Sequence, residues 1–258
     1  VLIAAAKDKT SARRGFPIEP KTILIVVAHP EPQSFNHALT RAAKEALEAQ
    51  GHKVLVSDLY GDGFKADLNR HDMTTVANAD LFHVQSEQAH AARHKAYADD
   101  IRIEQERVAA ADAIILQFPL WWGGVPAILK GWGERVFSYG FGYVDGARYD
   151  RGLFKGRRAM MSVTTGGTPA RFSPEGSYGP IEDILMPLRR CGLEYLGYEV
   201  SPPFVAYGVP RLEEVERLAL LRDFAGAAIA FAALPVERGE AYLTALDSVP
   251  DGAWARKT

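Results

Sequence analysis

The chain predicts a doubly wound α/β fold, a five-stranded parallel sheet with helices on both faces. Three observations carry this. Short apolar runs rich in β-branched residues recur along the chain, as expected of strands buried on both faces. Stretches with helical apolar spacing lie between them. Loops rich in glycine, proline and aromatic residues follow the first, third and fourth strands, where ligands bind in such sheets.

The elements follow in order. Thr22–Ala28 is a continuous apolar run stopped by Pro30 and Pro32 and reads as the first strand. Asn36–Gln50 places Ala38, Leu39, Ala42, Ala46 and Leu47 on one stripe, with Ser34 as N-cap and Gly51 beyond the C-terminus. Lys53–Ser57 gives the second strand and completes a βαβ unit. The stretch 62–100 is polar, and 87–111 suits a helix leading into the third strand, Ala113–Gln117. Pro126–Phe137 is a helix with Ile128, Leu129, Trp132 and Val136 on one face. Ala159–Val163 is the fourth strand, Pro180–Cys191 a helix, Glu194–Val200 the fifth strand, and Leu212–Ala232 the last helix. Residues 1–20 read as an arm, 21–233 as one domain and 234–258 as a tail.

Composition narrows the function classes. Hydrophobic residues make up 47% and charged residues 24% of the 258, an ordinary balance for a globular protein. With 30 basic and 32 acidic residues the formal charge is −2, which predicts no nucleic-acid partner. The single cysteine, Cys191, excludes an intrachain disulfide and a cysteine-based zinc site, and it suits a cytoplasmic location. The seven histidines show no metal-ligand spacing, so no metal is expected. No run of about 18 apolar residues predicts a transmembrane segment.

Three loops carry the chemistry. His29–Asn36 lacks the GxGxxG dinucleotide fingerprint, yet it offers a helix N-terminus, Ser34, Asn36 and an imidazole, which suit a phosphate or pyrophosphate. An ordinary capped helix beside a surface histidine accounts for the same residues. Phe118–Pro126 sets two tryptophans, two glycines and two prolines in nine residues. A flat aromatic ligand explains both the tryptophans and the close backbone approach that glycine permits, and packing against the loop's own core is the alternative. Thr164–Thr168 presents consecutive glycines whose N–H groups suit the polar edge of a flavin-like heterocycle, although a plain turn reads the same way. Between the last two lies the aromatic segment Tyr139–Tyr143.

Taken in order, AHPEPQSFNHAL (28–39), SDLY (57–60), QFPLWWGGVPAILKGWGERVF (117–137) and YDRGLFKGRRAMMSVTTGG (149–167) resemble the NAD(P)H:quinone oxidoreductases of the DT-diaphorase type, in the flavodoxin-like superfamily. The resemblance covers roughly residues 22–220. It implies a homodimer with FAD at the interface, FMN being the less favoured flavin. It also implies a ping-pong cycle in which NADPH or NADH delivers hydride and leaves, and a quinone-like acceptor then takes two electrons. Carried over by position, His29, Phe35, Asn36 and Ala38 hold the FAD pyrophosphate and adjoining sugar chain. Pro119, Leu120, Trp121, Trp122 and Gly123 flank the flavin ring. Thr164, Thr165, Gly166 and Gly167 contact its polar edge, and Tyr143 enters the substrate pocket from the partner subunit.

The sequence also departs from the family. Phe172 and Tyr178 stand where the family has a tyrosine and a histidine proposed to stabilise charge on the reduced flavin. Phe172 cannot donate a hydrogen bond; Tyr178 can. Asp145 replaces a second pocket tyrosine, and Glu214 stands where an arginine near the adenine end is common. Two other functions remain in view. One is an FMN-dependent azo- or nitroreductase of the same superfamily. The other is an ancillary subunit regulating a membrane transporter, with 1–20 and 62–100 as docking surfaces.

Overall fold

A computed structural model describes residues 19–249. The four long apolar or alternating runs become strands Thr22–Val27 (β1), Lys53–Asp58 (β2), Ala113–Pro119 (β3) and Arg158–Thr164 (β4). The helices are Phe35–Ala49 (α1), Val84–His94 (α2), Asp99–Ala110 (α3), Ala127–Val136 (α4), Ile181–Leu188 (α5) and Glu214–Ala233 (α6). All strand pairs are parallel, in the order β2-β1-β3-β4, with Glu199–Val200 (β5) and Phe204–Ala206 (β6) both against β4.

Alternation along β1 divides the core. Leu24 and Val26 face α3, α4 and α5 through Val108, Trp132 and Leu185, while Ile23 and Ile25 face α1 and α6 through Leu39, Leu47 and Phe224. The sheet is therefore covered on both sides, which is why its central strands carry continuous apolar runs. The strand order reverses between β1 and β3, so the carboxyl ends of β1, β3 and β4 open onto one edge.

Three expected elements differ. The stretch 87–111 is not one helix: α2 ends at Lys95 in the left-handed conformation (φ 53°), and α3 starts at Asp99. Buried Tyr97 explains the break, because its hydroxyl is hydrogen-bonded to the Gln88 carbonyl and the Ser138 hydroxyl. The expected helix 180–191 ends at Leu188 and continues as a wider π turn, Arg189–Leu193. The fifth strand, expected over 194–200, starts only at Glu199 and is split into β5 and β6. Pro202 and Pro203 lie in the gap, and proline has no N–H to give a ladder.

Residues 234–249 run back over the domain. Glu237 N–H donates to Gly156 at 2.9 Å, and Tyr242 packs on Phe141 and Phe154, both at 5.7 Å. Most of the expected arm (1–18) and the end of the tail (250–258) lie outside the described residues. Among the described residues no helix is long and apolar enough to cross a membrane.

Candidate active site

The loop after β1 is set by α1. Ser34 caps the helix, its Oγ accepting from His37 N, so the N–H groups of Phe35 and Asn36 precede the first intrahelical bond. His29 Nδ1 accepts from Glu31 N at 3.0 Å, which leaves the ring proton on Nε2. Burial pushes the imidazole pKa down, so it is neutral at neutral pH. The ring leans on Trp121 with centroids 5.8 Å apart.

After β3 the chain makes a tight turn in which Trp121 and Gly124 exchange both backbone hydrogen bonds, at 3.0 and 2.9 Å. The two central residues, Trp122 (φ 50°) and Gly123 (φ 70°), are left-handed, as in a type I′ turn. That conformation is free for glycine but costs tryptophan about 1–2 kcal/mol. Trp122 gains no packing in return, because its side chain is fully exposed (106%).

After β4, Thr164 and Thr165 are buried and Gly166 is exposed. Thr165 N–H donates to Ala206 at 2.9 Å, and the Gly167 carbonyl accepts from Gly208 N–H at 2.8 Å, which pins the turn to β6 and the loop beyond it. Among the described residues the N–H groups of Gly166 and Gly167 donate to no protein acceptor. They are free donors beside an open cleft.

A buried amide network ties the three loops together. Gln117 Nε2 donates to Asn36 Oδ1 at 2.9 Å, and Asn36 Nδ2 donates to Thr164 Oγ1 at 3.0 Å. Asn36 is 3% exposed, so its side chain faces inward and sets loop positions. Phe35 packs on the α6 side of the sheet, and Ala38 is half-buried on α1.

The Trp121–Gly124 turn and the Thr164–Thr168 loop border a cleft of about 1140 Å³. Leu120, Trp122 and Gly123 form one wall; Thr165, Gly166 and Gly167 form the other. Phe172 is buried, its ring 5.1 Å from that of exposed Tyr178. The Tyr178 oxygen accepts from Arg171 Nη1 at 3.3 Å, which leaves its O–H free to donate. Tyr143 is not in this cleft. It packs on Tyr139 and Tyr195 and lines a neighbouring apolar cavity of about 520 Å³, and burial pushes its pKa up.

Sequence reasoning missed Gln117, Arg171, Asp183 and Arg211. Gln117 had a signal, as the one polar residue in the run AIILQFP. Arg171 follows the glycine pair closely. Asp183 and Arg211 reach the cleft only through tertiary folding. Among the described residues no group of three or more candidate ligands could hold a metal.

A parallel 2-1-3-4-5 sheet, with its cleft beyond the carboxyl ends of β3 and β4, defines a flavodoxin-like protein. The family model described as Flavodoxin-like fold matches residues 21–224. The chain is 43% identical over 187 residues to NAD(P)H dehydrogenase (quinone) 1 of Cavia porcellus, covering 72% of this chain and 68% of that protein. It is 42% identical to ribosyldihydronicotinamide dehydrogenase (quinone) of Mus musculus, covering 80% and 89%. A solved structure from Klebsiella pneumoniae, described as a candidate quinone reductase, superposes with a TM-score of 0.79 at 36% identity, covering 85% and 89%. The chain belongs to the NAD(P)H:quinone oxidoreductase family of flavodoxin-like proteins.

Proposed function

We propose that the protein is a flavin-dependent NAD(P)H:quinone oxidoreductase acting on quinones or similar flat electrophiles. The observation that carries this reading is Trp122. A large apolar ring held in a disfavoured backbone conformation, wholly exposed beside two unpaired glycine N–H groups, fits a planar ligand with carbonyl acceptors. The family relatives support the same reaction class.

A flavin bound here supplies the two-electron chemistry between nicotinamide donor and quinone acceptor. The chain's own groups bind and orient. Trp121, Trp122, Gly123 and the backbone of Pro119 and Leu120 would flank the ring, and Gly166 and Gly167 would donate to its polar edge, with Thr164 and Thr165 holding that turn. The α1 N-terminus, through Phe35 and Asn36 N–H, would meet the phosphate, with neutral His29 Nε2–H beside it and Ala38 leaving space. Tyr178 Oη, polarised by Arg171, would donate a proton or hydrogen bond to charge developing in the cleft. Phe172 supplies only packing, so any relay would run through Tyr178 alone.

The proposal extends to a cytoplasmic homodimer in which the partner subunit's Tyr143 closes the pocket. Support comes from Tyr143 lying on the apolar cavity beside the cleft rather than within it. FAD is the flavin we propose, with NADPH or NADH as donor. FMN is the second reading, favoured by Glu214, a negative charge in the first turn of α6. Denaturing the purified protein and separating the released flavin by chromatography tests the cofactor, and sedimentation velocity tests the dimer.

A further inference from the structure

The cleft is polar on one side in a specific way. Arg171 and Arg211 both line it, and Asp183 is the one carboxylate residue among its walls. Arg171 Nη1 donates to the Tyr178 hydroxyl, and Arg211 Nη1 donates to the Gly166 carbonyl. Among the described residues neither guanidinium forms an ion pair. Arginines close by in the chain behave differently: Arg189 and Arg190 are both paired with Glu194. The two cleft arginines therefore keep donors to spare and an excess of positive charge.

Their placement is fixed by backbone. Arg171 N–H donates to Thr168 at 3.0 Å, and its carbonyl accepts from Tyr178 at 2.9 Å. A Cβ on Gly176 would come within 2.4 Å of that carbonyl, so the loop closes only with glycine there. Arg211 ends a 3-10 turn that begins beside Gly208, whose N–H is bonded to Gly167. Both arginines thus line the cleft on short, internally bonded loops, Arg211 against the glycine turn and Arg171 against Tyr178. Planar guanidinium donors match the oxygens of carboxylate, sulfonate and phosphate groups.

We propose that Arg171 and Arg211 form an anion subsite in the cleft, so that the preferred ring compound entering it carries a carboxylate, sulfonate or phosphate group. This rests on the reductase reading for its substrate class. The anion has two possible sources with the same chemistry, a substituent on the acceptor or the phosphate that distinguishes NADPH from NADH.

The test is calorimetric binding of anthraquinone-2-sulfonate and of neutral 2-(hydroxymethyl)anthraquinone to the purified flavin-loaded protein. Wild type, R171Q, R211Q and the charge-retaining R171K are compared, with kcat/KM for NADPH and NADH measured on the same samples. The expected result is a preference for the sulfonate that falls about tenfold in R171Q, the worth of one charge-assisted hydrogen bond. R171K should recover part of it, and added salt should shrink the wild-type preference. A change confined to the NADPH-to-NADH ratio also supports the subsite and assigns the anion to the donor. Equal sulfonate preference and equal donor ratios in all four proteins would overturn it. Selective sulfonate binding without turnover of any quinone would support the subsite while sinking the reductase reading.

Discussion

Asn36 Nδ2 donates to Thr164 Oγ1 at 3.0 Å across 128 residues of sequence, and Gln117 Nε2 closes the same network on Asn36 Oδ1. The ends of β3 and β4 and the start of α1 are thereby held in one register. All three side chains are buried, and Gln117 Oε1 already lacks a partner. Asn36→Ala leaves the Gln117 amide unpaired on both ends, which should cost about 1–3 kcal/mol in denaturant unfolding. A double-mutant cycle with Thr164→Val should return a coupling energy of about 0.5–3 kcal/mol. Strict additivity would show that the two side chains act independently.

Trp122 separates stability from binding. Trp122→Gly relieves the left-handed strain and removes no packed contact, so the flavin-free protein should gain about 1 kcal/mol of stability. Flavin affinity should fall about tenfold or more, since the wall of the ring site is lost. Fluorescence titration of the stripped protein with flavin reads the second effect. Unchanged affinity would remove Trp122 from the site.

Much of the fold was legible because its central strands are buried on both faces and so carry continuous apolar runs. β1, β3 and β4 fall within one or two residues of their expected bounds. The break at Lys95 was not legible, because it depends on Tyr97 reaching Gln88 and Ser138. The split between β5 and β6 was legible in Pro202 and Pro203 once both sides were known to pair with β4. At the candidate site the three loops declared themselves by composition. The inward turn of Asn36 did not, because a polar residue at a helix start reads equally as a ligand or as a buried link.

Gly131 tests how α4 is seated. A Cβ built there would lie 1.8 Å from the Ala66 carbonyl oxygen, a backbone atom with no rotamer to yield. Gly131→Ala should destabilise the protein by about 1–3 kcal/mol despite its better helix propensity. Thermal unfolding checks this, and a Tm at or above wild type would refute the tight approach.

Two histidines give a pH dependence with a defined sign. Burial lowers the pKa of His29, and burial followed by the Lys21 charge lowers that of His52, both below the ordinary 6.5. As pH falls, the unfolded chain takes up these protons first. The associated stability is full above about 6.5 and is lost as pH drops from 6.5 towards the folded-state values. His52→Asn keeps an acceptor for Lys21 N–H, which His52 Nδ1 now meets at 3.1 Å, but cannot titrate. The variant should lose less stability than wild type between pH 7.5 and about 5.5 in urea unfolding. Identical losses would exclude His52 as a contributor.

The absorbance spectrum of the purified protein, recorded anaerobically before and after NADPH and again after a quinone, tests the central claim most directly. A bound flavin gives bands near ~375 and ~450 nm, and the account predicts that these bleach with NADPH and return with the quinone. A colourless protein that takes up neither added FAD nor FMN would contradict it and return the ancillary-subunit reading to the front.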